Sequence, residues 1–104
     1  MTKRFAHIRT LVELRQNIRQ FPTLADDHLR NTIIESLPPK HATIYRWIRS
    51  HGGENITSSF IVTGWRMSPN QAADMLRELW EFGLLKRTEQ LGEDGKRFIY
   101  EVES

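Results

Sequence analysis

Four breaks between residues 38 and 83 leave little freedom in how this chain folds. Pro38-Pro39, Gly52-Gly53, Ser68-Pro69 and Gly83 cut that stretch into short segments. Proline suits the first position of a helix and stops a helix that reaches it, whereas glycine takes the left-handed conformation that ends one. The segments between these breaks carry apolar residues at helical spacing. In HATIYRWIRSHGG, Ile44, Trp47 and Ile48 share a face, and Gly52-Gly53 closes the element. Thr57 or Ser58 can cap a second helix running through about Trp65. Ser68 caps a third, with Pro69 at its first position, on which Ala72, Leu76 and Leu79 fall at i, i+4 and i+7 beside Met75 and Phe82. After Gly83 the period changes. Residues 84–90 and 96–103 read as two strands about a turn containing Asp94-Gly95, with Phe98, Tyr100 and Val102 alternating inward and Ile56 offering a short strand contact.

Two further helices are expected before the prolines. Phe5, Ile8, Leu11, Val12, Ile18 and Phe21 recur mostly three or four apart, with Arg4, Arg9, Arg15 and Arg19 on the other sides. Pro22 closes that helix, and Thr23 caps a second one holding Leu24, Leu29, Ile33, Ile34 and Leu37. The expected class is therefore α+β, mostly α. Residues 1–37 form a two-helix arm, and residues 38–104 form a three-helix core with a β-hairpin.

Several function classes lose their support at this point. The chain has 104 residues, three Trp and five Phe, enough for one modest core, and no cysteine for a disulfide, a thiolate zinc site or a Cys nucleophile. No apolar run approaches a membrane span, and the basic start MTKRFAHIRT is not followed by an apolar signal segment. A cytoplasmic, nucleoid-associated protein is expected, in which the Asn55-Ile56-Thr57 sequon is a chance match. The histidines, His7, His28, His41 and His51, lack metal-binding spacing and read as surface or partly buried structural residues. Nothing assembles a nucleophile, a base and an orienting group, so no enzyme, metal or cofactor is expected.

Ser68-Pro69-Asn70-Gln71-Ala72, then Leu76, Leu79 and Gly83-Leu84-Leu85, resemble the recognition helix and following strand of bacterial winged helix-turn-helix transcription regulators of the MarR-like and ArsR-like kinds. The likeness covers residues 40–102 and is best over 61–85. IYRWIRSHGG also looks, more weakly, like the small fimbrial-operon regulators of enteric bacteria. The resemblance implies a winged helix-turn-helix whose buried positions are Ile61, Val62, Trp65, Met67, Ala72, Leu76 and Leu79, all apolar here. Arg66 stands in the turn where such regulators often have Gly, a departure that argues against a sharp left-handed turn and offers a cation instead. The residues placed to meet duplex DNA are Ser68, Asn70, Gln71, Asp74 and Arg77 on the helix. Asn and Gln suit adenine, Arg suits guanine or phosphate, and Asp suits cytosine.

Charge complicates that reading. Over residues 67–82 one arginine stands against Asp74, Glu78 and Glu81, and unpaired carboxylates repel phosphate. Glu78 and Glu81 fall on the last turns, which leave the groove in this docking geometry, so Asp74 is the direct challenge. Elsewhere the balance reverses, with Lys40, Arg46, Arg49 and Arg66 against Glu54 alone over residues 40–66. In the hairpin, Lys86, Arg87, Lys96 and Arg97 are offset in part by Glu89, Glu93 and Asp94, so Lys96 and Arg97 are expected on the flanking backbone rather than in the minor groove.

Trp47 and Trp65 fall on apolar helix faces and read as core, while Trp80, one position off Leu79, is expected to pack on the arm or on a second subunit. The arm itself is either a dimer interface or an extension packed on its own domain, and dimerisation is favoured. The expected function is a sequence-specific DNA-binding transcription regulator acting as a homodimer. The rival is a winged helix that binds a protein partner through its acidic helix and not DNA.

Overall fold

The computed structural model describes residues 5–17, 24–93 and 95–103. Their order is α1 (Ala6–Asn17), α2 (Leu24–Glu35), α3 (Pro39–Ser50), α4 (Ser58–Trp65), α5 (Pro69–Glu81), β1 (Leu85–Gly92) and β2 (Gly95–Val102). The architecture is α+β, mostly helical, with one antiparallel hairpin among the described residues. Ile18 and Phe21 of the first periodicity, Pro22, the cap Thr23, Arg4, Arg19 and Asp94 lie outside the described residues. No helix among those described is long and apolar enough to cross a membrane.

The breaks act through local chemistry. Pro39 takes the first position of α3, and Gly52 and Gly53, with φ of 93° and 66°, turn the chain away after it. Thr57 rather than Ser58 caps α4, its hydroxyl accepting from the Phe60 N–H at 3.3 Å. Ser68 and Gln71 form a complete capping box on α5: the Gln71 N–H donates to Ser68 Oγ at 3.1 Å and the Ser68 N–H to Gln71 Oε1 at 3.2 Å. Such a cap is worth about 1 kcal/mol. Arg66 departs from expectation. It caps the end of α4 in the left-handed region, φ 53° and ψ 41°, so the sharp turn is made without glycine. Burial of Met67 and the capped start of α5 hold it there against a backbone cost of about 1–2 kcal/mol.

The hairpin pairs Leu85 with Val102 through to Gly92 with Gly95. Ile56 bridges to Tyr100 by two reciprocal backbone hydrogen bonds of 2.9 and 2.8 Å, and the Val102 N–H donates to the Gly53 carbonyl at 2.7 Å. The loop between α3 and α4 is thereby stitched to β2. Burial fades along both strands toward the turn, because the hairpin outruns the helices. Phe98 consequently does not point into the core as its alternation with Tyr100 suggests, and stays 38% exposed.

One core runs through the molecule. Ile33 of α2, Ile44 and Ile48 of α3, Ile61 of α4 and Leu76 and Leu79 of α5 have no exposed surface, and Phe5 and Ile8 belong to the same cluster. Val62, Trp65 and Trp47 are only half-buried at its margin. Trp47 stacks on Phe60 (4.8 Å, 28°) and meets Trp65 edge-on at 5.8 Å.

Of the apolar residues of the first periodicity, Phe5 and Ile8 are buried within the chain and Leu11 and Val12 are partly buried. Phe5 sets its ring edge against Phe82 at 5.1 Å and against His41 at 5.6 Å. Arg15, expected on the polar side of its helix, is buried. Its guanidinium donates to the Gly83 carbonyl at 2.9 Å and lies 3.8 Å from Glu103. The reason is tertiary: the carbonyl exposed where α5 stops needs a donor, and Arg15 reaches it from α1.

Candidate functional site

α5 buries Ala72, Met75, Leu76 and Leu79 and turns the opposite face outward. On that face Asn70, Asp74, Arg77 and Glu81, spaced four, three and four apart, make one ridge, all exposed. Arg77 sits in the middle of it, 3.5 Å from Asp74 and 3.6 Å from Glu81. The cation thus screens both acids. The Asn70 side chain makes no hydrogen bond among the described residues, and its amide is exposed.

A groove of about 420 Å³ runs along one side of this ridge. Its helical wall is Ala73 and Leu76, its floor end is Thr57, Ser58 and Ser59 at the start of α4, and its far wall is Lys96, Arg97 and Phe98 of β2. The structure therefore brings Lys96 and Arg97 across the groove from Ala73 and Leu76 of α5. Lys96 is paired 3.6 Å from Glu89, and Arg97 has no ion pair among the described residues. Three hydroxyl-bearing residues at a helix start, facing two cations, suit an anion. Sequence reasoning passed over Ser59, and gave Thr57 and Ser58 only a capping role, because the groove exists only once the hairpin folds back on α5.

The remaining candidates are placed differently. Arg66 is exposed in the α4–α5 turn and does not line the groove. Ser68 and Gln71 spend side-chain atoms on the capping box, which leaves the Gln71 amide N–H groups but compromises bidentate adenine reading. Gln71 and Asp74 face a second cavity of about 500 Å³ with Lys40, His41 and Glu78.

Two expectations about charge need correction there. His41 is neither at the surface nor partly buried: it is 2% exposed, and its Nε2 donates to Glu78 Oε1 at 2.9 Å. Glu78 is accordingly turned inward and is not a free acid of the outer face. Nδ1 of His41 stays buried without a partner. Among the described residues no group of three or more His, Cys, Asp or Glu residues could hold a metal ion.

Arg87 was counted only as one more hairpin cation, and its surroundings set it apart. Its guanidinium carbon lies 3.6 Å from the Trp80 ring centre and 4.2 Å from that of Phe98. Trp80 is half-buried, packed against the core cluster, and this arginine lies over its ring. Once the hairpin register is fixed, Arg87 opposite Tyr100 is the diagonal neighbour of Phe98 on one face. That register was the missing signal. Comparison with known proteins finds no family model, no curated protein and no solved structure that matches the chain, and what the site does has to be read from its own residues.

Proposed function

We propose that the chain is a sequence-specific double-stranded DNA-binding transcription regulator, acting as a homodimer through a winged helix-turn-helix made by α3, α4, α5 and the hairpin. The observation that carries this reading is the exposed ridge of α5 with the cations Lys96 and Arg97 across a groove that starts at Thr57, Ser58 and Ser59. In it, α5 enters the major groove, Asn70 and Arg77 reach base edges or phosphate, and the hairpin rests on the flanking backbone. The acids that spoke against DNA are accounted for: Glu78 bonds His41, while Asp74 and Glu81 are paired with Arg77. On approach to DNA, Arg77 exchanges those carboxylates for a phosphate or a guanine, leaving Asp74 for cytosine N4.

Pairing of two copies in this reading uses surface that the chain does not bury itself. Leu14, 48% exposed on α1, marks it. Two recognition helices about 34–36 Å apart then meet successive major grooves of a pseudo-palindromic site.

A fluorescence anisotropy titration against random and genomic duplexes at two salt concentrations tests the reading. Affinity should fall steeply with salt, and Arg77→Ala should lower the slope by roughly one if its contact is to phosphate. A flat response at low salt overturns it. The rival, a protein-binding winged helix, draws on the exposure of Asp74 and Glu81, whose side chains are 61% and 43% accessible. Charge reversal at Glu81 separates the two: it leaves or strengthens DNA binding and abolishes capture of a basic partner. Glu78 is unsuited to that experiment, because reversing it also strips His41 of its partner.

A further inference from the structure

Among the described residues, the acids around Arg87 are already engaged. Glu81 and Glu103 line the same surface cavity of about 570 Å³ as Arg87 and Trp80, and they pair with Arg77 and Arg15. Glu89, on the same face of β1, pairs with Lys96. Arg87 makes no hydrogen bond or ion pair among the described residues, and none of its nitrogens is sealed from solvent. Two rings nonetheless fix its position. Stacking on aromatic faces satisfies the faces of a guanidinium and leaves its N–H edge, which matches the oxygens of a phosphate. An immobilised guanidinium with unspent donors has most of its ordering cost met before a ligand arrives.

Its place in the fold narrows the ligand. Trp80 is three residues beyond Arg77 on α5, and Phe98 belongs to the groove wall that carries Lys96 and Arg97. Arg87 therefore stands where the last turn of α5 and the hairpin converge, beyond the part of the ridge that would enter the major groove and beside the strand that would follow the backbone. We propose that Arg87 is a pre-oriented phosphate anchor, held by Trp80 and Phe98 to grip a phosphodiester of the duplex at the junction of α5 and the hairpin. This assignment rests on the DNA reading above and names a contact that reading does not include.

The test is a salt titration of duplex binding by the unaltered chain, Arg87→Gln, Arg87→Lys and Phe98→Leu, each with a thermal unfolding curve. Loss of one phosphate contact lowers the slope of log affinity against log salt by about 0.9 in Arg87→Gln, with roughly tenfold weaker binding on specific and random duplexes alike. Arg87→Lys keeps the slope, because the charge remains. Phe98→Leu also keeps it but binds about 2- to 10-fold more weakly, because a mobile arginine must be ordered on binding. If the unaltered chain shows no salt-dependent binding, the DNA reading fails and this site loses its ligand with it. If that chain binds and Arg87→Gln matches it in affinity and slope, Arg87 alone is misassigned. Equal loss of slope in the Lys and Gln variants means that only the posture of the hairpin was disturbed, and overturns the anchor.

Discussion

Glu78 and Glu81 are three residues apart on one helix, yet they do different work. The Glu78 side chain is 18% accessible and holds a histidine whose own side chain is 3% accessible, whereas Glu81 lies against Arg77 in the open. Removing one partner of a buried polar pair strands the other, at a cost of about 1–3 kcal/mol, while exposed ion pairs contribute little. Glu78→Ala should therefore lower stability by about 1–3 kcal/mol, measured by urea unfolding, and Glu81→Ala by less than about 0.5 kcal/mol. Equal losses would show that the His41 contact carries no weight. The spacing of α5 made both acids visible in the sequence but not their difference. That difference depends on His41, 37 positions earlier, arriving beneath the helix.

Helix α4 shows how an element can be read correctly and still be misjudged at its surface. Its cap, its length and its buried Ile61 follow from local sequence, as do the breaks at Gly52-Gly53, Ser68-Pro69 and Gly83. These signals act within a turn or two of chain. Gly64 is different. It is the penultimate residue of α4, where alanine ordinarily favours a helix by up to about 1 kcal/mol. A Cβ there would meet the Trp47 ring at 2.5 and 2.6 Å. Gly64→Ala should thus destabilise the chain despite the better helix propensity, with a lower thermal midpoint and a changed Trp fluorescence spectrum. A gain in stability would mean that Trp47 moves aside at no cost. The same distinction divides the candidate site. Asn70 and Arg77 could be placed from helical period alone, whereas the groove at Thr57, the burial of Arg15 and the stack on Arg87 needed α1, α5 and the hairpin assembled.

At the scale of the molecule, the arm and the helices after Pro38 share one core, and Tyr45 lies in it with 2% of its surface exposed. Burial raises the pKa of its hydroxyl above the ordinary value of 10.0, although Arg49, Arg30 and Arg15 pull the other way. A group whose folded value is raised keeps the proton that the unfolded chain gives up, so stability holds below about pH 10 and declines as pH climbs through the folded value. Tyr45→Phe should lose less stability than the unaltered chain between about pH 9 and 11 in urea unfolding, and parallel losses would refute the assignment. The pairing of the hairpin carries a last consequence. Among the described residues, Ile56 and Gly53 cover the outer side of β2 only near Tyr100 and Val102, and β1 has no strand partner other than β2. A bare strand edge is a template on which further chains can add and aggregate. Here that edge carries Lys86, Arg87 and Glu89 among Thr88 and Gln90, and those charges resist another strand. The charged residues of this strand thus protect the isolated protein from fibre-like self-association, and exchanging them for β-branched apolar residues would remove that safeguard.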